Sequence, residues 1–244
     1  MDKREIAFLE HLEELRKRII ITLIAFIVSL IISFLFVKDI HEFLIKDLDD
    51  KLALLGPGDI LWIYMVIAGV AAIALTIPTA AYQAWKFVKP ALSKDEQKAT
   101  LAFIPGLFFL FLFGIAFGYF VLFPLVLSFL KNLAGDQFET FFTVDKYFKF
   151  VINLTLPFGF LFEMPAVIMF LTRLGIVNPL KLVKARKMSY FALIVISILI
   201  TPPDFISDIL VIVPLLILYE FSITLSKIVY QKRMNIEQTS AISN

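Results

Sequence analysis

Long stretches without a lysine or arginine constrain this chain more than any other feature. Ile19–Val37 is apolar apart from Thr22, Ser29 and Ser33. Ile60–Trp85 and Ala99–Leu130 carry no charge at all, and Phe150–Thr172 carries only Glu163. About 20 consecutive apolar residues suffice for a helix to cross the hydrocarbon of a bilayer. A chain of 244 residues that is 60% hydrophobic and 18% charged has too little polar surface to cover a soluble fold. The pattern therefore predicts an all-α, polytopic integral membrane protein. Ile19–Val37 is too long for a cleaved leader and lacks a small-residue cleavage site, so it is expected to remain as a span.

The last apolar region, Met188–Ser226, is broken by Thr201-Pro202-Pro203-Asp204. Prolines beside a short acid mark a turn. The region is expected to form a hairpin: a short fifth span over Met188–Ile200, then a sixth near Ile209–Ser226. A five-span chain with one re-entrant segment is the competing arrangement, and charge decides between them. With the N-terminus inside, 17 of the 23 basic residues fall in cytoplasmic pieces. The bias of lysine and arginine toward the cytoplasm supports both termini inside, hence six transmembrane helices. The implied organisation is a cytoplasmic N-terminal segment (1–18), a six-helix bundle (19–226) and a polar, frayed cytoplasmic tail (227–244).

Several residues stand out within this frame. Phe8, Leu12, Leu15 and Ile19 recur at helical spacing and predict an amphipathic helix on the inner membrane interface. Glu13–Lys17 and Glu14–Arg18 are spaced as i,i+4 pairs, which a plain solvated face also explains. In the first internal loop Ser93 and Glu96 have the spacing of a capping box. A mid-span carboxylate such as Glu163 costs about 2.5–3.5 kcal/mol to insert unless it faces the bundle interior, faces water or holds a proton. Pro157 and Pro165 flank it, so it marks either a ligand or proton site or a buried interhelical hydrogen bond. Glu220 is a second intramembrane acid, near the cytoplasmic end of its span. Gly114-x-x-x-Gly118 allows close helix approach. There is no P-loop, no Gly-x-Ser-x-Gly and no His-Glu-x-x-His; with no cysteine and two unclustered histidines, neither enzyme activity, a metal nor another cofactor is expected.

Taken together, five segments resemble the TatC family, the receptor and core subunit of the twin-arginine protein translocase. They are His11-Leu12-Glu13-Glu14-Leu15-Arg16-Lys17-Arg18; Tyr82-Gln83-Ala84-Trp85-Lys86-Phe87-Val88-Lys89-Pro90-Ala91-Leu92 running on to Glu96; Phe162-Glu163-Met164-Pro165; Thr201-Pro202-Pro203-Asp204; and Pro214-Leu215-Leu216-Ile217-Leu218-Tyr219-Glu220. The resemblance implies a receptor in the prokaryotic cytoplasmic membrane. It would bind signal peptides bearing paired arginines and help export folded proteins, driven by the proton-motive force. It further implies that Glu14 and Glu96 receive the two arginines, with Phe87, Pro90, Leu92 and Arg16 shaping the same site. Glu163 and Pro165 would form the polar intramembrane site. Asp208, standing where glutamine is common, and Glu220 would contact small single-span partner subunits of the TatA and TatB type, in an assembly holding several copies. No nucleic acid is expected as a partner. Guanidinium binds carboxylate through two parallel hydrogen bonds and keeps its proton, so a two-arginine code suits paired acids. A proton-coupled small-solute transporter using Glu163 and Glu220 is the alternative, and a membrane scaffold without transport activity is a third.

Overall fold

The computed structural model describes residues 3–46, 52–92, 97, 100, 101, 103–135, 142–201 and 204–242. These residues are helical nearly throughout, and no strand occurs among them beyond an isolated bridge between Ala53 and Thr143. In hydrocarbon every backbone N–H must find its partner within its own segment, which is the physical reason for this architecture. The helices are α1 (Lys3–Leu35), α2 (Val37–Ile45), α3 (Asp59–Val88), α4 (Ile104–Phe117), α5 (Phe123–Ala134), α6 (Val144–Phe162), α7 (Met164–Arg173), α8 (Pro179–Lys184), α9 (Arg186–Ile200) and α10 (Phe205–Ile242). Five stretches are long and apolar enough to cross a membrane: Leu9–Leu35, Asp59–Val88, Ile104–Leu133, Val144–Arg173 and Phe205–Lys232. The helix α9, with 15 residues, is the short fifth member of the predicted set. At a rise of 1.5 Å per residue it spans only about 22 Å, against roughly 30 Å of hydrocarbon.

By contact density the chain divides into two units: residues 1–109 with 141–148, and residues 110–140 with 149–244. In the first, α1 packs along α3, and α3 buries Ile63, Ile67, Ala68 and Ala72. The segment before the first span is continuous with it in a single 33-residue helix, because nothing from Phe8 to Ile20 is a helix breaker. The short helix α2 had no counterpart in the predicted elements. Its Val37 is buried, and its His41 ring stacks on Phe148 at 5.3 Å and meets Tyr64 edge-on at 5.5 Å. Burial lowers the His41 pKa from its ordinary 6.5, against a smaller opposing pull from Glu42.

In the second unit the prolines decide where helices bend. Pro124 has no N–H for the Phe120 carbonyl, and its ring presses on that carbonyl. The preceding turn, Gly118–Leu122, widens to π geometry, with the Phe123 N–H bonding to the Gly118 carbonyl. Likewise Pro165 offers nothing to the Leu161 carbonyl, and the fourth span breaks at Glu163 into α6 and α7. That span starts at Val144, six residues before the predicted Phe150. Thr143 accounts for the early start by accepting from the Lys146 N–H at 3.4 Å as an N-cap. Asp204 caps α10 by accepting from the Ser207 N–H at 2.7 Å. The helix α10 then runs 38 residues without a break at Ser226, so the tail is helical through Ile242 rather than frayed.

The Gly114–Gly118 pair has the packing role its spacing suggested. A Cβ on Gly114 would collide with the Phe158 carbonyl oxygen, and one on Gly118 would come 2.8 Å from the Thr155 Cα. Gly159 answers from α6, where a Cβ would sit 2.7 Å from the Phe111 ring. The two backbones touch, and any side chain at the contact forces them apart. Gly114→Ala is therefore expected to lower the unfolding free energy in detergent by about 1–3 kcal/mol. Gly106→Ala, with open space around the new methyl, should leave it unchanged. Thermal unfolding of the purified variants checks this, and equal melting temperatures would contradict the close contact.

Candidate functional site

The first unit brings together part of the predicted peptide-binding set. Glu14 and Arg18 are one turn apart on α1, and Arg18 donates to the Glu14 carboxylate in a short i,i+4 ion pair. Arg18 also donates to the Gln83 side-chain oxygen on α3 at 3.2 Å. The arginine is drawn into the α1–α3 seam, with only 14% of its side chain exposed against 35% for Glu14. Its Nε–H is buried and meets no acceptor among the described residues. One turn before Glu14, His11 stacks on Phe87 with ring centroids 4.2 Å apart. Tyr82 stacks on Trp85 at 5.7 Å, and the Lys89 ammonium lies over the Trp85 ring at 5.4 Å. The result is an acid paired with one base on α1, with a stacked ring pair one turn away along the helix.

The remaining predicted residues of this set are distributed unevenly. Pro90 is exposed in the 3-10 turn Lys89–Ala91 that ends α3. Leu92 is buried, and its N–H bonds to the Lys89 carbonyl at 3.0 Å. Gln97 donates to the Leu92 carbonyl at 3.1 Å and closes the turn from the far side. Arg16 is exposed on α1 and belongs to no ion pair with Glu14. Glu96, and Ser93 with it, lie outside the described residues. Neither Arg18 nor Gln83 belongs to the predicted peptide-binding set. The i,i+4 spacing of Glu14 and Arg18 signalled the pair, while the Gln83 contact depends on how α1 meets α3.

The second unit holds Glu163 at the break between α6 and α7. Both carboxylate oxygens are buried and meet no hydrogen-bond donor among the described residues. Pro165 beside it is buried, and the rings of Phe158 and Phe162 pack against Phe117 one span away. The interhelical hydrogen bond that offered a purely structural explanation for Glu163 is thus not present among the described residues.

Glu220 is in the opposite situation. Arg186 donates to its Oε2 at 2.7 Å and Tyr190 to its Oε1 at 2.6 Å, both from α9. One residue back, the Tyr219 hydroxyl donates to the Leu182 carbonyl at 3.1 Å. Thr172 gives its hydroxyl proton to the Ile168 carbonyl, so in its 2.7 Å contact with Ser226 the serine donates. At the other end of the hairpin, Asp208 is bonded to the Thr201 hydroxyl. Glu220 is committed as a clamp between α9 and α10, which removes one of the two carboxylates that solute transport would require. Among the described residues no group of three or more potential metal ligands occurs.

Five helical stretches long and apolar enough to cross a membrane, with a shorter apolar helix beside them and a polar break inside one, define a multi-pass membrane protein. The family described as Sec-independent protein translocase protein (TatC) matches residues 10–214. TatCd of Bacillus subtilis is 66% identical over 241 residues, covering 99% of each chain. TatCy of the same organism is 45% identical over 236 residues, covering 95% of this chain and 93% of its own. The crystal structure of a twin-arginine translocase receptor, TatC, superposes with a TM-score of 0.78 at 36% identity, covering 90% of this chain and 99% of that one. The chain belongs to the TatC family and is a component of the Sec-independent protein translocase, a transport protein and not an enzyme.

Tyr190→Phe and Arg186→Met are each expected to lower the unfolding midpoint, since each removes a donor from Glu220. Glu220→Met combined with either should cost little more than Glu220→Met alone, as read from unfolding of the single and double variants. Strict additivity would show that the three side chains are not energetically coupled.

Proposed function

We propose that this chain is the receptor subunit that binds twin-arginine signal peptides at the cytoplasmic face of the prokaryotic cytoplasmic membrane. Both termini are cytoplasmic in this reading, which the 17 cytoplasmic lysines and arginines support. The observation that carries it is the half-buried Glu14, a carboxylate at the α1–α3 seam beside the stacked His11 and Phe87. Guanidinium is the natural ligand of such an acid, since it forms a planar two-point bond and stacks on aromatic faces. Glu96 supplies the second acid for the second arginine, with Phe87, Pro90 and Leu92 shaping the approach and Arg16 flanking it. Surrounding lysines hold the site near anionic lipid headgroups.

In the same reading Glu163 and Pro165 polarise the interior of the bundle. An acid that meets no donor among the described residues, next to a carbonyl freed by proline, lowers the cost of admitting water and the apolar part of a signal peptide. Small single-span subunits of the TatA and TatB type pack on the face that includes Asp208, several copies of the chain join one assembly, and the proton-motive force drives passage of folded cargo.

The deciding experiment is export of a folded reporter behind a twin-arginine signal in cells carrying Glu96→Ala. Export is expected to fall at least tenfold, as expected when a bidentate charged contact is lost, while membrane levels of the protein are unchanged. Normal export would remove Glu96 from the site. In the same cells Glu163→Leu should slow export more than Glu163→Gln, which keeps a polar group in the break. Wild-type rates for both would rule out the intramembrane role.

A further inference from the structure

The Glu14 carboxylate is not idle in this structure, because Arg18 already donates to it. The geometry points to Arg18 as a built-in competitor for the peptide, so that recognition at Glu14 proceeds by exchange of one guanidinium for another. This rests on the reading of Glu14 as an arginine acceptor and adds to it a residue that sets the threshold for binding.

Three observations on one side chain carry the inference. Arg18 reaches Glu14 through a single nitrogen, Nη2, whereas an arginine approaching from outside can use both arms of its fork. The incoming bond is therefore the better one, and exchange can proceed. Arg18 has a second partner, Gln83, reached through its other terminal nitrogen, Nη1. Its Nε–H has no acceptor among the described residues, so the present pose does not satisfy the group fully. A displaced Arg18 keeps Gln83 and need not lose its remaining bond. Lys17, on the same helix, is exposed.

Exchange has a signature that simple addition lacks. When an arginine replaces an arginine, the number of ion pairs at Glu14 is conserved, and that contact adds little to the salt dependence of binding. Without Arg18 the peptide forms a net new pair, and screening then weakens binding more steeply. Removing Arg18 also removes one positive charge, which draws a cationic peptide from a distance. Lys17→Gln removes the same charge without freeing Glu14 and so isolates that effect.

The test uses the full chain in detergent micelles with a fluorescent synthetic peptide carrying a twin-arginine pair, titrated at several salt concentrations. Arg18→Gln is expected to bind roughly threefold to tenfold more tightly than the wild type, the scale of one partly exposed charge-assisted bond. Its affinity should also fall more steeply with salt than that of Lys17→Gln. Gln83→Leu should weaken binding in the wild type and have no effect in the Arg18→Gln background, since it acts only through Arg18. Should Arg18→Gln not survive extraction, Arg18→Lys carries the test, with tighter binding again expected. Binding by the Arg18 variant no tighter than by Lys17→Gln, or an equal Gln83→Leu loss in both backgrounds, would overturn the exchange. Unchanged binding by Glu14→Gln would instead overturn the acceptor role of Glu14, a separate failure.

Discussion

A peptide group within hydrocarbon has no water to bond to, and this demand shapes the whole chain. Every span is a helix because only a helix pairs each N–H and carbonyl within the segment itself. It follows that a proline, which lacks the N–H and crowds the carbonyl four residues earlier, acts on the local geometry of the whole span. Pro124 is accommodated by a π turn over Gly118–Leu122, and Pro165 by the break at Glu163. The π turn includes Gly118 itself, which lies against Thr155 at backbone contact. The widened turn and the glycine seam thus occupy the same stretch, and the helices meet where one of them is distorted.

Hydrophobic burial contributes little to holding such helices together, since lipid tails are as apolar as leucine. Shape and sparse polar contacts remain. The hairpin of α9 and α10 uses them at both ends: Arg186, Tyr190 and Glu220 at one, Thr201 and Asp208 at the other. A 15-residue helix too short for the bilayer has few turns over which to pack, so pinning it at each end compensates for its length. The same reasoning separates the two intramembrane acids. Glu220 meets two donors and is explained by the packing of its own hairpin, whereas Glu163 meets none among the described residues. A buried polar group left without a partner is the one that calls for a functional reason.

The spans were legible in the sequence because they depend on one-dimensional quantities, namely runs of apolar residues and the placement of lysine and arginine. Gly114 and Gly118 were legible for a similar reason, as a spacing. What escaped was anything that depends on a partner distant in sequence. Whether Glu220 reached the membrane surface or another helix turned on Arg186 and Tyr190, about 30 residues away. The helix α2 was overlooked because its nine residues carry three charges, although Val37, Ile40, Leu44 and Ile45 have helical spacing. The extension of the first span to Lys3 was read as a separate surface helix, since amphipathic patterning reports a face and not continuity. For the site, the Glu14–Arg18 spacing gave the pair, but the contact of Arg18 with Gln83, 65 residues on, lies beyond any local pattern.

That contact changes what the Glu14–Arg18 pair is. On an isolated helix an i,i+4 pair of this kind contributes a few tenths of a kcal/mol and carries no further meaning. Here the packing of α1 on α3 withdraws Arg18 from water and gives it a second acceptor, while Glu14 stays more open. The acid is thereby held in place before any ligand arrives, and its resident partner has an alternative bond close by. A carboxylate left bare among hydrophobic helices would tend to reorient toward water or to take up any cation nearby. Holding it with an arginine meets that difficulty with the chemistry of the proposed twin-arginine ligand, and in that reading a displacing group must match arginine's geometry and not merely its charge.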